Sequence, residues 1–201
     1  MISLFSPMHE RQYITDKKYE GADFTETPLA AGEYDSCSFI NCSFAEADLS
    51  EFVFADCEFE ACNLNSARLD GAALRDVKFR ECSMKGLQFE SCNDFGLAFS
   101  FEGCKLDYSS FYRAKIKKTT FSNCQLREVD FTECDLAGAM FSECDLARAT
   151  FDNTNLEKAD FRSSYNYSID PEKNRMKKAK FSLTGVVGLL DKYDIVIDGK
   201  R

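Results

Sequence analysis

FTECDLAGAMFSECDLARATF, residues 131–151, nearly repeats itself: TECDLA at 132–137 returns as SECDLA at 142–147. Phenylalanine stands at 131, 141 and 151, and leucine at 136 and 146 halfway between them. Two cysteines, Cys134 and Cys144, sit at matching points, each flanked by carboxylates. The stretch reads either as a cluster of ligands or as a structural repeat, and the rest of the chain decides between the two.

Stepping back from this stretch in fives, Phe101, Leu106, Phe111, Ile116, Phe121 and Leu126 are all apolar, and the step continues forward through Leu156 to Phe161. An earlier register runs from Phe24 through Leu29, Tyr34, Phe39 and Phe44 to Met84 and Phe89, again apolar at every fifth residue. A period of five is neither the 3.6 of an α-helix nor the 2 of a long strand. Two residues before the large apolar centres small side chains dominate, such as Cys37, Ala47, Cys62 or Ala139, exceptions such as Phe52 and Leu87 are still apolar, and the residue between is usually polar. That is strand alternation for three residues. A polar pair follows and the pattern restarts, so short extended pieces alternate with corners and the chain coils.

Phenylalanine occupies every other centre from Phe101 through Phe111, Phe121, Phe131, Phe141 and Phe151 to Phe161, so the number of sides per coil is even. Cysteine pairs twenty apart (37/57, 42/62, 62/82, 104/124, 124/144) outnumber the single pair fifteen apart, 42/57. Four sides of five residues fit best. The sequence therefore predicts an all-β solenoid, a four-sided β-helix of about seven coils over residues 22–163. Coils spaced like parallel strands, at ~4.8 Å, make a rod on the order of 35 Å long with ladders of Phe and Leu inside. Residues 1–21 are then an N-terminal cap and residues 164–201 a C-terminal cap or dimerisation segment.

The register breaks once. Phe89 and Phe101 are twelve residues apart, two more than two repeats, and the break falls in 92–101. It would place Asp94 in the core, where an unpaired carboxylate is costly, so a bulge carrying Asp94 and Phe95 is expected there. In the tail, Leu183, Val186, Val187 and Leu190 fall at the i, i+3, i+4, i+7 spacing of an amphipathic helix, with Ser182 as its N-cap. YDIVID, residues 193–198, reads as a closing strand.

All ten cysteines hold the small inward position, and there is no CxxC. The single histidine, His9, lies outside the repeats. A zinc site needs converging ligands at short spacing, whereas a free cysteine packs as a small hydrophobe. No metal, no cofactor and no catalytic residue is expected, and no P-loop, GxSxG or GxGxxG occurs. The N-terminus has no basic run before its short apolar stretch, and no apolar run approaches the ~18 residues of a membrane span. Ten cysteines without an export signal point to reduced thiols in the cytoplasm.

Net charge is −9, unevenly spread. Residues 171–201 hold eight Lys/Arg against four Asp/Glu, whereas residues 1–170 hold 17 against 30. A body of −13 repels nucleic acid and acidic membranes and attracts basic surfaces, including one that normally holds DNA.

The tandem pattern, as in CDLAGAMFSECDLARATFDNTNLEKADF, resembles the pentapeptide-repeat family with its A(D/N)LXX consensus. The resemblance implies a right-handed quadrilateral β-helix. The tail NYSIDPEKNRMKKAKFSLTGVVGLLDKYDIVID is similar to the ends of antibiotic-resistance members: the Qnr group and the albicidin-resistance and microcin-immunity types. Likeness to them implies a two-fold dimer with Leu183, Val186, Val187, Leu190, Ile195 and Ile197 at its core. It also implies an acidic rod that mimics duplex DNA, engages DNA gyrase or topoisomerase IV and resists topoisomerase poisons. Asp94, Phe95, Asp107, Glu133, Asp135, Glu143 and Asp145 are the candidate partner surface. The long projecting loops of the Qnr group are absent here. The rival expectation is an interaction scaffold for another protein, its acidity serving solubility.

Overall fold

The computed structural model describes residues 12–198. Eleven short strands, all paired in parallel, form two sheets. β1 (Gln12–Thr15), β3 (Gly32–Asp35), β5 (Val53–Ala55) and β7 (Ala73–Arg75) make one sheet. β2 (Lys18–Glu20), β4 (Ser38–Ile40), β6 (Glu58–Glu60), β8 (Val77–Arg80), β9 (Phe99–Glu102), β10 (Thr120–Ser122) and β11 (Met140–Ser142) make the other. Except across the break from β8 to β9, each strand residue pairs with the one twenty further on, as in Phe39 with Phe59 and Phe121 with Phe141. Twenty residues per coil and five per side give four walls. Wall one is the sheet that starts at β1 and wall two the sheet that starts at β2. Walls three and four are ladders of single bridges, such as Ser43 with Asn63 and Asp130 with Thr150.

The corners explain the polar pairs. The second corner residue takes a left-handed backbone, with φ near +50° to +63°, at 21 non-glycine positions of the coils, from Asp16 (φ 52°) to Lys178 (φ 61°). Asp and Asn tolerate this conformation better than most residues, and β-branched ones hardly at all. No Val, Ile or Thr occupies any of these positions. A left-handed residue turns the chain without a longer loop, so five residues suffice for side and corner together.

Inside, the ladders are continuous. On wall two, rings stack from Tyr19 through Phe39, Phe59, Phe79, Phe101, Phe121, Phe141 and Phe161 to Phe181, with neighbouring centroids 4.7–5.4 Å apart. On wall four, Phe89, Phe111, Phe131 and Phe151 stack at 4.4–5.3 Å. The spacing follows the coil rise, and rings of adjoining walls meet edge to face, as Phe121 and Phe131 do at 80°. Both are favoured geometries for aromatic pairs.

The small inward position also has a polar task. Cys62 Sγ donates to Phe39 O (3.2 Å), Cys57 Sγ to Tyr34 O (3.3 Å) and Cys144 Sγ to Phe121 O (3.4 Å). Thr154 Oγ1, Ser164 Oγ and Asn174 Nδ2 donate in the same place to Phe131 O, Phe141 O and Phe151 O. A side chain two residues before a centre thus reaches back to a carbonyl of the preceding coil. Cysteine fills the slot because it is small, apolar and a weak donor.

Two boundaries differ from the sequence reading. The coils already include Gln12–Glu20, inside the segment assigned to the N-terminal cap, because Ile14 and Tyr19 carry the five-residue count backwards. They also run past 163: Asn155 bridges Arg175, Asp160 bridges Lys180, and Phe181 closes the ring stack. Asn166 and Pro171 interrupt the apolar count there, and Tyr167 and Ile169 are buried in their stead. Residues 1–11 of the assigned cap, His9 among them, lie outside the described residues.

The tail differs as well. Gly185–Leu189 is a 3-10 helix rather than an α-helix, a second 3-10 turn spans Asp191–Tyr193, and residues 194–198 carry no strand. Ser182 Oγ accepts from Gly185 N (3.0 Å), but the N-cap position falls to Thr184, whose side chain makes no capping bond. Gly185 and Gly188 lie against Tyr167 so closely that a Cβ on either would strike its hydroxyl or its carbonyl. Ile169 N donates to Gly188 O (2.9 Å), which ties the tail to the last coil. This close seat, with two glycines weakening a regular helix, gives a short 3-10 segment.

The break lies where register places it. β8 pairs with β9 at an offset of 22, Phe79 with Phe101. Wall one loses its sheet at β7 and continues beyond the break only as bridges, Lys115 to Asp135 to Asn155 to Arg175. Asn93–Gly96 bulges outward, so Asp94 is exposed rather than buried.

Candidate interaction surfaces

Among the described residues no group of three or more His, Cys, Asp or Glu is placed to hold a metal ion, and no helix is long and apolar enough to cross a membrane. All ten cysteines are buried free thiols. Burial pushes the Cys57 and Cys92 thiols up to about 12, so they are protonated at neutral pH. Six of the ten (42, 62, 82, 104, 124 and 144) form one column behind wall three. Outward chemistry therefore rests on the three polar positions of each five-residue side.

The candidate carboxylates do not share a face. Asp107 and Asp145 lie on wall three and are only 6% and 4% exposed. Asp107 accepts from Arg127 N (3.2 Å). Asp145 accepts from Arg127 Nε (2.6 Å), Asn166 Nδ2 (2.8 Å) and Ala147 N (3.2 Å). Burial alone would raise the Asp145 carboxyl, but the hydrogen bonds of Asn166 and Arg127 outweigh it and hold the group below the usual carboxylate range. These two acids brace neighbouring coils and are withdrawn from the partner surface. Glu133, on wall four, pairs with Arg113 (2.7 Å), whose hydrogen bond lowers its pKa. Asp135, on wall one, pairs with Lys117 (3.2 Å) and accepts from Asn155 Nδ2 (2.8 Å). Glu143 is exposed on wall two. Asp94 pairs with Lys115 (3.4 Å) at the bulge, and Phe95 is 77% exposed with its ring 6.0 Å from the Arg75 guanidinium.

A different grouping emerges from the twenty-residue register. From coil to coil, wall four presents Asp48, Glu51, Asp70, Glu90, Asp130, Glu133, Asp152, Asp170 and Glu172. It carries three cations of its own, Arg68, Arg113 and Lys173, each paired with a carboxylate of this wall, and Lys192 of the tail pairs with Asp170 (2.7 Å) and Glu172 (2.6 Å). With Lys192 counted, nine acids against four cations leave a net charge of −5. Elsewhere signs interleave, as in Arg80 with Glu58 and Glu102 on wall two and Arg127 with Asp145 on wall three. The sequence signal for wall four was available: acids stand in six of the seven fourth-side blocks from Asp48 to Glu172, the block around Phe111 being the exception.

At the C-terminal end, Leu183 (90% exposed), Val186, Val187, Ile195, Val196 (97%) and Ile197 form an apolar group, while Leu190 is half-buried. The tail residues singled out from sequence thus lie on one segment, six of its apolar side chains open. Phe101, Phe111, Phe121, Phe131, Phe141, Phe151 and Phe161 are all buried in the ladders.

Square coils, a dry core and flat outward walls define a class: a β-helical repeat scaffold that presents side chains to partners. The chain belongs to the pentapeptide-repeat family, whose pentapeptide repeat region matches residues 33–100 and 97–167. Among solved structures it is similar to a trypsin-treated form of QnrB1, a plasmid-mediated fluoroquinolone resistance protein. The TM-score is 0.52 at 18% identity, over 94% of this chain and 92% of that one. It is also similar to HetL, a pentapeptide repeat protein involved in heterocyst differentiation regulation from the cyanobacterium Nostoc. There the TM-score is 0.58 at 16% identity, over 86% of this chain and 88% of that one. At such identities the likeness is one of fold. No curated protein sequence matches the chain.

Proposed function

We propose that the chain is a non-enzymatic mimic of duplex DNA that binds DNA gyrase or topoisomerase IV in the cytoplasm and protects it from topoisomerase poisons. Wall four carries the proposal. Its net five charges spread over six coil rises of ~4.8 Å, about 29 Å, or roughly one charge per 6 Å. One strand of B-DNA carries one per ~3.4 Å, so the wall presents about three-fifths of a strand's line charge on a straight rod. A basic DNA-binding saddle attracts such a surface, and the attraction weakens with salt. Two copies joined through Leu183, Val186, Val187, Leu190, Ile195 and Ile197 would double the length of the rod. The fluoroquinolone resistance named for QnrB1 supports the reading by analogy of fold.

Gyrase supercoiling and cleavage assays, with and without a quinolone, test it. Inhibition or protection by the parent, and its loss in Asp70→Lys/Asp130→Lys/Asp152→Lys, is the expected result. A parent that neither inhibits nor protects gyrase at tens of micromolar protein contradicts the proposal. The rival reading, a scaffold for another protein, draws on the interleaved ion pairs of walls two and three, which neutralise those faces within the chain.

A further inference from the structure

The second corner residues between walls one and two form a column along the rod: Asp16, Ser36, Asp56 and Asp76 before the break, Lys118, Gly138, Lys158 and Lys178 after it. Backbone bonds fix the rungs: Asp16 N to Asp35 O, Ser36 N to Ala55 O, Asp56 N to Arg75 O, Lys118 N to Ala137 O, Gly138 N to Glu157 O and Lys158 N to Lys177 O. Unlike charges do not alternate here. Acids stand before the break and bases after it. The corner columns after walls three and four place opposite signs on adjacent rungs and pair them, as Glu128 with Arg148 (2.5 Å) and Arg113 with Glu133 (2.7 Å). None of the six charged side chains of this column has an ion-pair partner among the described residues, and all six are exposed. Neighbouring like charges, Asp56 over Asp76 and Lys158 over Lys178, are unfavourable. The wall beside the lysine half adds Lys115, Lys117, Arg175 and Lys177 against Asp135 and Glu157.

We propose that two copies of the chain pair side by side, antiparallel, along this edge. A two-fold axis at the break sets each rung against its counterpart at equal distance on the other copy, as an isologous contact requires. Asp76 then meets Lys118, and Asp16 meets Lys178. Asp56 enters the notch at Gly138, between Lys118 and Lys158. Gly138 keeps that notch open: its φ is +73°, and the Lys118 stem lies 3.5 Å from where a Cβ would be. Phe95, 77% exposed at the break, falls near the axis, where the two rings face each other. Of the protein's own surfaces the acidic half of the same column matches the lysines. A free anionic polymer is opposed by the net −9 of the whole chain.

The inference is independent of the gyrase reading and of the tail contact. Its test is sedimentation of the full chain carrying Val187→Glu, which removes end-to-end pairing, at about 0.1 M salt where screening length is about 10 Å. Concentration-dependent dimers are expected. Asp56→Lys/Asp76→Lys and Lys118→Glu/Lys158→Glu should each weaken self-association about tenfold or more, since exposed pairs turn repulsive. An equimolar mixture of these two variants, each with an unchanged circular dichroism spectrum, should restore dimers. A parent monomeric at hundreds of micromolar, a reversal without effect, or a mixture that stays monomeric overturns the proposal. So does a parent that stays monomeric while its lysine half binds a phosphate-rich oligonucleotide.

Discussion

At the residue scale the inward small position explains the cysteines. Cys144 is buried and donates to Phe121 O and Ser142 O (3.4 Å each), and Ser164 makes the same reach one coil on. Cys144→Ser should therefore change stability by less than about 1 kcal/mol. Cys144→Leu overpacks the slot and should cost about 1–3 kcal/mol. Thermal melts of both compare them directly. Asp145→Ala removes the partner of Arg127, Asn166 and a backbone N–H, and should cost about 1–3 kcal/mol. The carboxyls of Asp145, Glu133, Asp160 and Asp170 are all held below their ordinary range. A depressed folded pKa contributes stability above the unfolded value, about 4 for these groups, and loses it as pH falls through the folded value. The melting temperature should accordingly stay level from pH 7 to about 5 and drop below about pH 4. A melting temperature that rises on acidification contradicts these assignments.

At the scale of elements, the ladders carry the fold and the break divides it. Phe121 is fully buried between Phe101 and Phe141. Phe121→Ala should cost about 3–5 kcal/mol. Phe181, half-buried at the end of the same stack, should cost about 1–2 kcal/mol when truncated. Because each coil touches only its neighbours, the first change should also lower the cooperativity of urea unfolding and the second should not. The period of five, the four walls and the two-residue offset were legible because each is a one-dimensional spacing of apolar side chains. The coil ends were less so. At Asn166 and Pro171 the count fails, yet Tyr167 and Ile169 keep the coil packed through contacts that no period encodes. The tail's i, i+3, i+4, i+7 spacing suits an α-helix, but the seat of Gly185 and Gly188 on Tyr167 is a tertiary contact and sets the 3-10 form.

At the scale of the molecule, charge sorts by wall. Outward carboxylates were recognisable in sequence as a set, but Asp107 and Asp145 turn out to be braces, because their neighbours Arg127 and Asn166 come from other coils. Wall four becomes visible only when residues twenty apart are stacked, and it holds nine acids against four cations, Lys192 of the tail included. The central claim is that this wall occupies a site made for DNA. The direct measurement is displacement of a labelled duplex from gyrase by the parent chain and by Asp70→Lys/Asp130→Lys/Asp152→Lys. The account predicts that the parent releases the duplex, less effectively as salt rises, and that the folded variant does not. Equal displacement by parent and variant, or none by either, would contradict it.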